Sequence, residues 1–266
     1  MMFQERPSMR NYVGLLLLFL LIFTGCGKRG ALIYPDMLAP ETPPGVSARQ
    51  SGKAVKLSFA LSNKNLAGRD LKEPGTLEGA DVYRRSSLAG QAPECSACRE
   101  GFTLWRKLYI ESLPSDPDVQ RYGNTVIFLD GDVKPGEEYS YMVGSFTKDS
   151  VNGKLSAPVA VAVAEPLDPP ILTAEPGPVE ILLHFEGSYA DRGTLEGYNI
   201  YRIINGQAFS YAPLNKEPIE GGEFADIGLE RGVSYAYAVR AVVRTPDGQL
   251  LESGLSDEAL AKLTDE

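Results

Sequence analysis

The chain has 266 residues, with 26 basic and 35 acidic side chains and a net charge of −9. No basic stripe interrupts the acidic excess, which excludes nucleic acid and anionic lipid surfaces as electrostatic partners. With 27 Gly, 19 Pro and 13 Tyr set among short Val/Ile/Tyr runs, and helical periodicity nearly absent, the composition predicts an all-β protein.

The first element is an export signal. Arg6 and Arg10 precede an apolar run from Val13 to Phe23, and Phe23-Thr24-Gly25-Cys26 places small residues directly before a cysteine. These are a basic region, an apolar region and a cleavage box. A run of 11 residues falls short of the roughly 20 that cross a bilayer as a helix, so residues 1–25 read as a removable signal peptide. The box resembles the lipobox of bacterial lipoproteins. That resemblance implies a diacylglyceryl group on the Cys26 thiol and a fatty acyl chain such as palmitate on its new amine, and more than one chain anchors stably. Gly27, where an aspartate would retain the protein in the inner membrane, implies by the same resemblance the periplasmic face of the outer membrane. Removal of residues 1–25 leaves 266 − 25 = 241 residues with 24 basic and 34 acidic side chains, a charge of −10.

Residues 26–42 read as a lipidated, proline-rich tether. Pro35, Pro40 and Pro43 stand in a stretch with little to pack, so Gly27 to Pro43 is expected to extend up to about 50 Å at polyproline rise and lift the rest off the membrane. Within it, Cys26-Gly27-Lys28-Arg29-Gly30-Ala31-Leu32-Ile33-Tyr34-Pro35 resembles the start of a small outer-membrane lipoprotein family that assists maturation of the lipopolysaccharide translocon, with Ala31 where that family has Pro. The resemblance implies that residues 27–35 dock a partner.

An internal repeat organises the remainder. Leu77-Glu78-Gly79-Ala80-Asp81-Val82-Tyr83-Arg84 returns as Leu195-Glu196-Gly197-Tyr198-Asn199-Ile200-Tyr201-Arg202, an offset of 118. Phe128-Leu129-Asp130 to Tyr139-Ser140-Tyr141-Met142-Val143 returns as Phe224-Ala225-Asp226 to Tyr235-Ala236-Tyr237-Ala238-Val239 at an offset of 96, so the first copy carries 22 extra residues between the two blocks. Upstream, Val55, Leu57, Phe59 and Leu61 alternate in copy one, and Val179, Ile181, Leu183 and Phe185 in copy two. Each series predicts a strand with one buried face.

Each copy is thus a string of short strands punctuated by Pro and Gly, the pattern of an immunoglobulin-like β-sandwich. Val133-Lys134-Pro135-Gly136-Glu137-Glu138-Tyr139-Ser140-Tyr141 resembles the E–F corner and F strand of fibronectin type III domains, and Leu229, Gly232, Tyr235 and Tyr237 repeat its spacing. The resemblance makes Tyr139 and Tyr235 corner residues, each hydroxyl bonding back to backbone. Tyr83-Arg84 and Tyr201-Arg202 resemble the C strand of that family, and Ser156-Ala157-Pro158 the start of its G strand. Where the family carries a core Trp on strand B, this chain has Phe59 and Phe185. The expected fold is all-β, two tandem fibronectin type III-like sandwiches: residues 43–165, with an insertion at about 85–127, and residues 168–263. Glu165-Pro166-Leu167-Asp168-Pro169-Pro170 between them is too short and proline-rich for free tumbling, so a semi-rigid rod is expected.

Candidate chemistry is sparse. Cys95 and Cys98, in the insertion, read by default as a local disulfide in an oxidising compartment, with a metal pair and a redox dithiol as alternatives. His184 is the only histidine, placed by alternation on the solvent face of its strand, and no Gly-x-Ser-x-Gly elbow accompanies it. Asp130-Gly131-Asp132 admits calcium, but the repeat partner of Asp130, Asp226, points to a turn role. Phe102, Trp105, Tyr109 and Tyr122 cluster in the insertion, either as a recognition surface for protein or sugar or as core completion, since Trp105 to Ile110 alternates like a strand. No phosphate loop, dinucleotide fingerprint or zinc helix is present. The expectation is a non-enzymatic, cofactor-free envelope lipoprotein. It would bind or scaffold an envelope protein or glycan through its sandwiches, with a glycan-processing accessory module and a translocon assembly factor as alternatives.

Overall fold

A computed structural model describes residues 34–71, 77–91, 95, 98–204 and 206–265. The expected signal peptide, Cys26 and the segment up to Ile33 lie outside the described residues. Pro35–Glu266 is one compact unit, and it is built from strands. In copy one these are β1 (Ser47–Ser51), β2 (Ala54–Ala60), β3 (Leu77–Leu88), β4 (Thr103–Tyr109), β5 (Val119–Tyr122), β6 (Thr125–Asp130), β7 (Glu137–Thr147) and β8 (Val159–Ala162). Copy two contributes β9 (Ile171–Pro176), β10 (Glu180–Glu186), β11 (Thr194–Ile204), β12 (Glu223–Ile227), β13 (Tyr235–Arg244), β14 (Leu250–Glu252) and β15 (Ala259–Ala261).

In copy one, β1-β2-β6 faces β4-β3-β7-β8, the strand order of a fibronectin type III-like sandwich, and in copy two β9-β10-β12 faces β11-β13 with a last strand split into β14 and β15. The alternation in the sequence is the reason. Val55, Leu57 and Phe59 point inward from β2 onto Tyr141 and Val143 of β7, and Ile181, Leu183 and Phe185 point inward from β10 onto Tyr237 and Val239 of β13, all buried. Val179, expected to open the copy-two series, instead lies in the turn before β10 and is 67% exposed.

The repeated Leu-Glu-Gly encodes a β-bulge. Register shifts between Leu77 and Gly79 and between Leu195 and Gly197. A Cβ on Gly79 would lie 2.0 Å from Leu108 O, and one on Gly197 2.6 Å from Ile219 O. Only glycine permits the neighbouring backbone to approach so closely.

The 22 extra residues of copy one are no appendage. They supply β4 to one sheet and β5 to the other, whereas the corresponding stretch of copy two, between β11 and β12, holds among its described residues only an isolated bridge from Ile219 back to Tyr198.

Two expectations are corrected. The tether does not run free to residue 42. Ala39, Pro40 and Pro43 are buried; the Glu41 N–H donates to Lys64 O at 2.9 Å, and Leu66 and Ala67 N–H donate to Ala39 and Met37 carbonyls at 2.9 Å each. Gly153 admits this segment, because a Cβ there would lie 2.6 Å from Pro40 O. Prolines that read as a spacer are thus docked on the loop between β2 and β3.

The proline-rich linker is also not the sole connection that was expected to hold the sandwiches together. β1 pairs in parallel with β14, Gln50 opposite Leu251 and Ser51 opposite Glu252, producing one eight-stranded sheet that crosses both copies in the order β11-β13-β14-β1-β2-β6-β5, with β15 as the eighth strand on β13. The proline-rich linker is pinned beside this seam. Leu167 is buried and its carbonyl accepts the Gly254 N–H at 3.0 Å. The Gln50 side chain bonds both N–H and C=O of Ala164 at 2.8 Å, and Tyr189 donates to Asp168 O at 3.0 Å.

Candidate functional site

Cys95 and Cys98 are joined by a disulfide, Cα to Cα 5.3 Å, so neither sulfur is a free thiolate for metal or redox chemistry in this state. Arg85 steadies the loop, donating to Glu100 O at 3.1 Å while its guanidinium lies 4.4 Å from the Phe102 ring centroid. The insertion aromatics do not form one platform. Trp105 is half-buried, edge-on to Phe128 at 5.2 Å with the Arg84 guanidinium 4.3 Å over its ring, and completes the core. Tyr109, 43% exposed, packs edge-on against Phe146 at 5.5 Å. Tyr122 faces copy two, its hydroxyl 2.7 Å from Ser210 Oγ and accepting the Tyr211 N–H at 3.0 Å.

Tyr139 and Tyr235 make the expected corners. Their hydroxyls accept the backbone N–H of Lys134 at 3.1 Å and of Glu230 at 3.0 Å. Burial, with a hydrogen bond to Glu137, pushes the Tyr139 phenol up to about 12.

Asp130 is not poised for calcium. Arg84 donates to both its oxygens at 3.1 and 2.9 Å, Tyr141 donates to Oδ2 at 2.7 Å and the Asp132 N–H donates to Oδ1 at 2.9 Å. Asp226 repeats this with Arg202, 2.8 Å to each oxygen, and Tyr237 at 2.8 Å. Each triad ties the two sheets of its own sandwich together. The sequence held the signal, since all three residue types recur at the repeat offsets. His184 sits on the solvent side of β10, with Nδ1 3.3 Å from Glu223 and Nε2 3.8 Å from Glu175.

The seam carries a polar cluster that the sequence did not announce. Glu252, fully buried, accepts from Ser51 Oγ at 2.6 Å and Asn199 Nδ2 at 2.9 Å, and pairs with Lys56 Nζ at 2.6 Å and Arg49 Nε at 3.6 Å. Burial alone would raise the Glu252 carboxyl, but Lys56, Arg49 and the hydrogen bonds hold it below its ordinary value. Burial pulls Lys56 down to about 8 against the attraction of Glu252. Alternation along β2 put Lys56 on a solvent face, which copy two covers.

A second contact lies beyond the seam. The Gln120 amide of β5 donates to Phe209 O at 3.1 Å and accepts the Tyr211 N–H at 2.7 Å, and Tyr211 donates to Pro117 O at 2.6 Å. Beside it a groove of about 760 Å³ separates β5 from β11, lined by Val119, Arg121, Ile203, Ile204 and Leu229. These two strands are the outer edges of the long sheet; among the described residues β5 pairs only with β6, and Tyr201–Ile204 only with β13.

No family model and no curated relative matches the chain. Among solved structures it is similar to the chicken CNTN1 FN1-FN3 domains, at 14% identity and a TM-score of 0.33, over 85% of this chain and 69% of that one. It is also similar to a structure titled as a myokine, at 16% identity and a TM-score of 0.30, over 37% of this chain and 99% of that one. At this distance the fold stands on the chain's own strand order and register.

Proposed function

We propose that the chain is a lipid-anchored, non-enzymatic envelope protein, held through Cys26 on the periplasmic face of the outer membrane, which presents the groove between β5 and β11 to an envelope protein. The continuous sheet carries this reading. Parallel pairing of β1 with β14 fixes the distance between the two sheet edges, so the groove is preformed and binding meets no ordering cost for the body. Unpaired edges of this kind accept an extended segment of another protein by strand addition. The described carboxylates at the sheet contacts, Asp130, Asp226 and Glu252, are each engaged in holding strands together. Separation of Phe102, Trp105 and Tyr109 weighs against a glycan platform, which needs several exposed rings on one face.

The test is photo-crosslinking in intact cells from Arg121 and Ile204, with mass spectrometry of the mature N-terminus. One envelope protein captured from both positions, and an acylated Cys26, are expected. Capture of nothing from either position, or a retained signal peptide, refutes the reading.

A further inference from the structure

Where the sandwiches meet, three cations surround one carboxylate. Glu252 already uses Oε1 for Asn199 and Arg49 and Oε2 for Ser51 and Lys56. Arg240 instead donates to the Ser253 carbonyl at 2.6 Å and has no carboxylate within 4 Å among the described residues. Next to this cluster is a cavity of about 100 Å³ lined by Ser51, Lys56, Tyr201 and Arg240, with Phe209 and Leu255 among its walls. Tyr201 is 2% exposed and its hydroxyl makes no hydrogen bond of ordinary geometry, although Asn199 lies nearby. A buried donor without an acceptor, set beside an arginine with no carboxylate on it, is an arrangement that an anion completes.

We infer that this cavity binds one small tetrahedral oxyanion of the size of inorganic phosphate or sulfate, held by Lys56, Arg240 and the Tyr201 hydroxyl. Water could satisfy the hydroxyl but leaves the charge unbalanced, whereas an oxyanion does both. Because Ser51 and Lys56 come from copy one and Tyr201 and Arg240 from copy two, the anion bridges the sandwiches and favours their joined state. A cavity of this size fits the free ion, which is the ligand assigned here. The inference is independent of the anchor and of the groove.

The test uses the full-length chain in detergent and chloride buffer at pH 7, titrated with inorganic phosphate and separately with glycerol 1-phosphate, followed by calorimetry and thermal melting. One phosphate per chain is expected, with a melting temperature that climbs with phosphate concentration and at least tenfold weaker binding of the ester. Tyr201→Phe removes a hydroxyl without an ordinary partner, so the variant folds. It should melt in chloride no lower than the parent and bind phosphate at least tenfold more weakly; Arg240→Gln should also lose binding. Absence of saturable phosphate binding up to tens of millimolar, or unchanged binding by Tyr201→Phe, overturns the inference and leaves water as the occupant. Equal binding of the ester overturns the assignment to a free ion.

Discussion

Replacing Glu252 by Leu tests the seam most directly. The substitution removes the one carboxylate among Arg49, Lys56 and Arg240 and leaves the Ser51 hydroxyl and one Asn199 N–H without their acceptor. Breaking a buried pair by removal of one partner costs about 3–5 kcal/mol. Part of that loss is recovered if Lys56 sheds its proton, since its pKa is already about 8. Urea unfolding at pH 7 in phosphate-free buffer should therefore show a loss of about 3 kcal/mol. The parent should unfold in one transition because the sheet is continuous, and Glu252→Leu should separate the two sandwiches into two transitions. Adding Lys56→Met should restore much of the stability, because an apolar pair of similar volume is often as stable as the ion pair it replaces. A cost below about 1 kcal/mol for Glu252→Leu, or a double variant as unstable as the sum of the singles, would refute a structural role for the charge cluster.

Asp130→Ala and Asp226→Ala should each lower stability by about 3 kcal/mol, because each strands an arginine whose other charge partner is exposed or, among the described residues, absent; denaturant melts of the two variants should give matching losses if the triads are equivalent. Lys56 has a folded pKa of about 8 and an unfolded value near 10.5. Between these values the unfolded chain binds a proton the folded chain lacks, so this group adds stability as pH rises from 8 to 10.5, and a melt series should show that increment missing in Lys56→Met. Reduction of Cys95–Cys98 should cost no more than about 2 kcal/mol, given a loop this short, and leave the sheet's circular dichroism unchanged.

What the sequence made legible was whatever the two copies share. The period-2 runs gave the inward faces of β2 and β10, the corner tyrosines gave their own hydrogen bonds, and Ser156, read as the start of the last strand, does cap the Val143 N–H at 3.0 Å, as Ser256 caps Val239 at 3.0 Å. What escaped was contact between the copies. Pairing of β1 with β14 joins two backbone edges, and an edge hydrogen bond leaves no pattern in side-chain hydropathy. Lys56 alternates like a solvent residue because the body that buries it is a distant segment of the same chain. The docked tether escaped for a similar reason: Pro40 and Pro43 read as spacer composition, while the groove that receives them depends on Gly153, about 110 residues later in the chain.

The register shows where the copies have diverged. Val55 opposes Asp130 and Ile181 opposes Asp226, so Lys56 of copy one corresponds to Leu182 of copy two. In the same way Phe146 bridges Asn152 where Val242 pairs with Glu252, and Gln50 opposes Val55 where Pro176 opposes Ile181. Each half of the seam is therefore confined to one copy: the acceptor strand with Gln50 and Lys56 to the first, and the donor strand with Glu252 to the second. Were both halves present on both copies, the pairing would be head to tail and would not close, and it could run from molecule to molecule. Pro176 has no N–H to offer at the position where Gln50 lies on the joining strand, and Leu182 has no charge for a second Glu252 to meet. Divergence at these positions limits the shared sheet to one junction per chain and leaves its two outer edges, β5 and β11, without a matching seam strand.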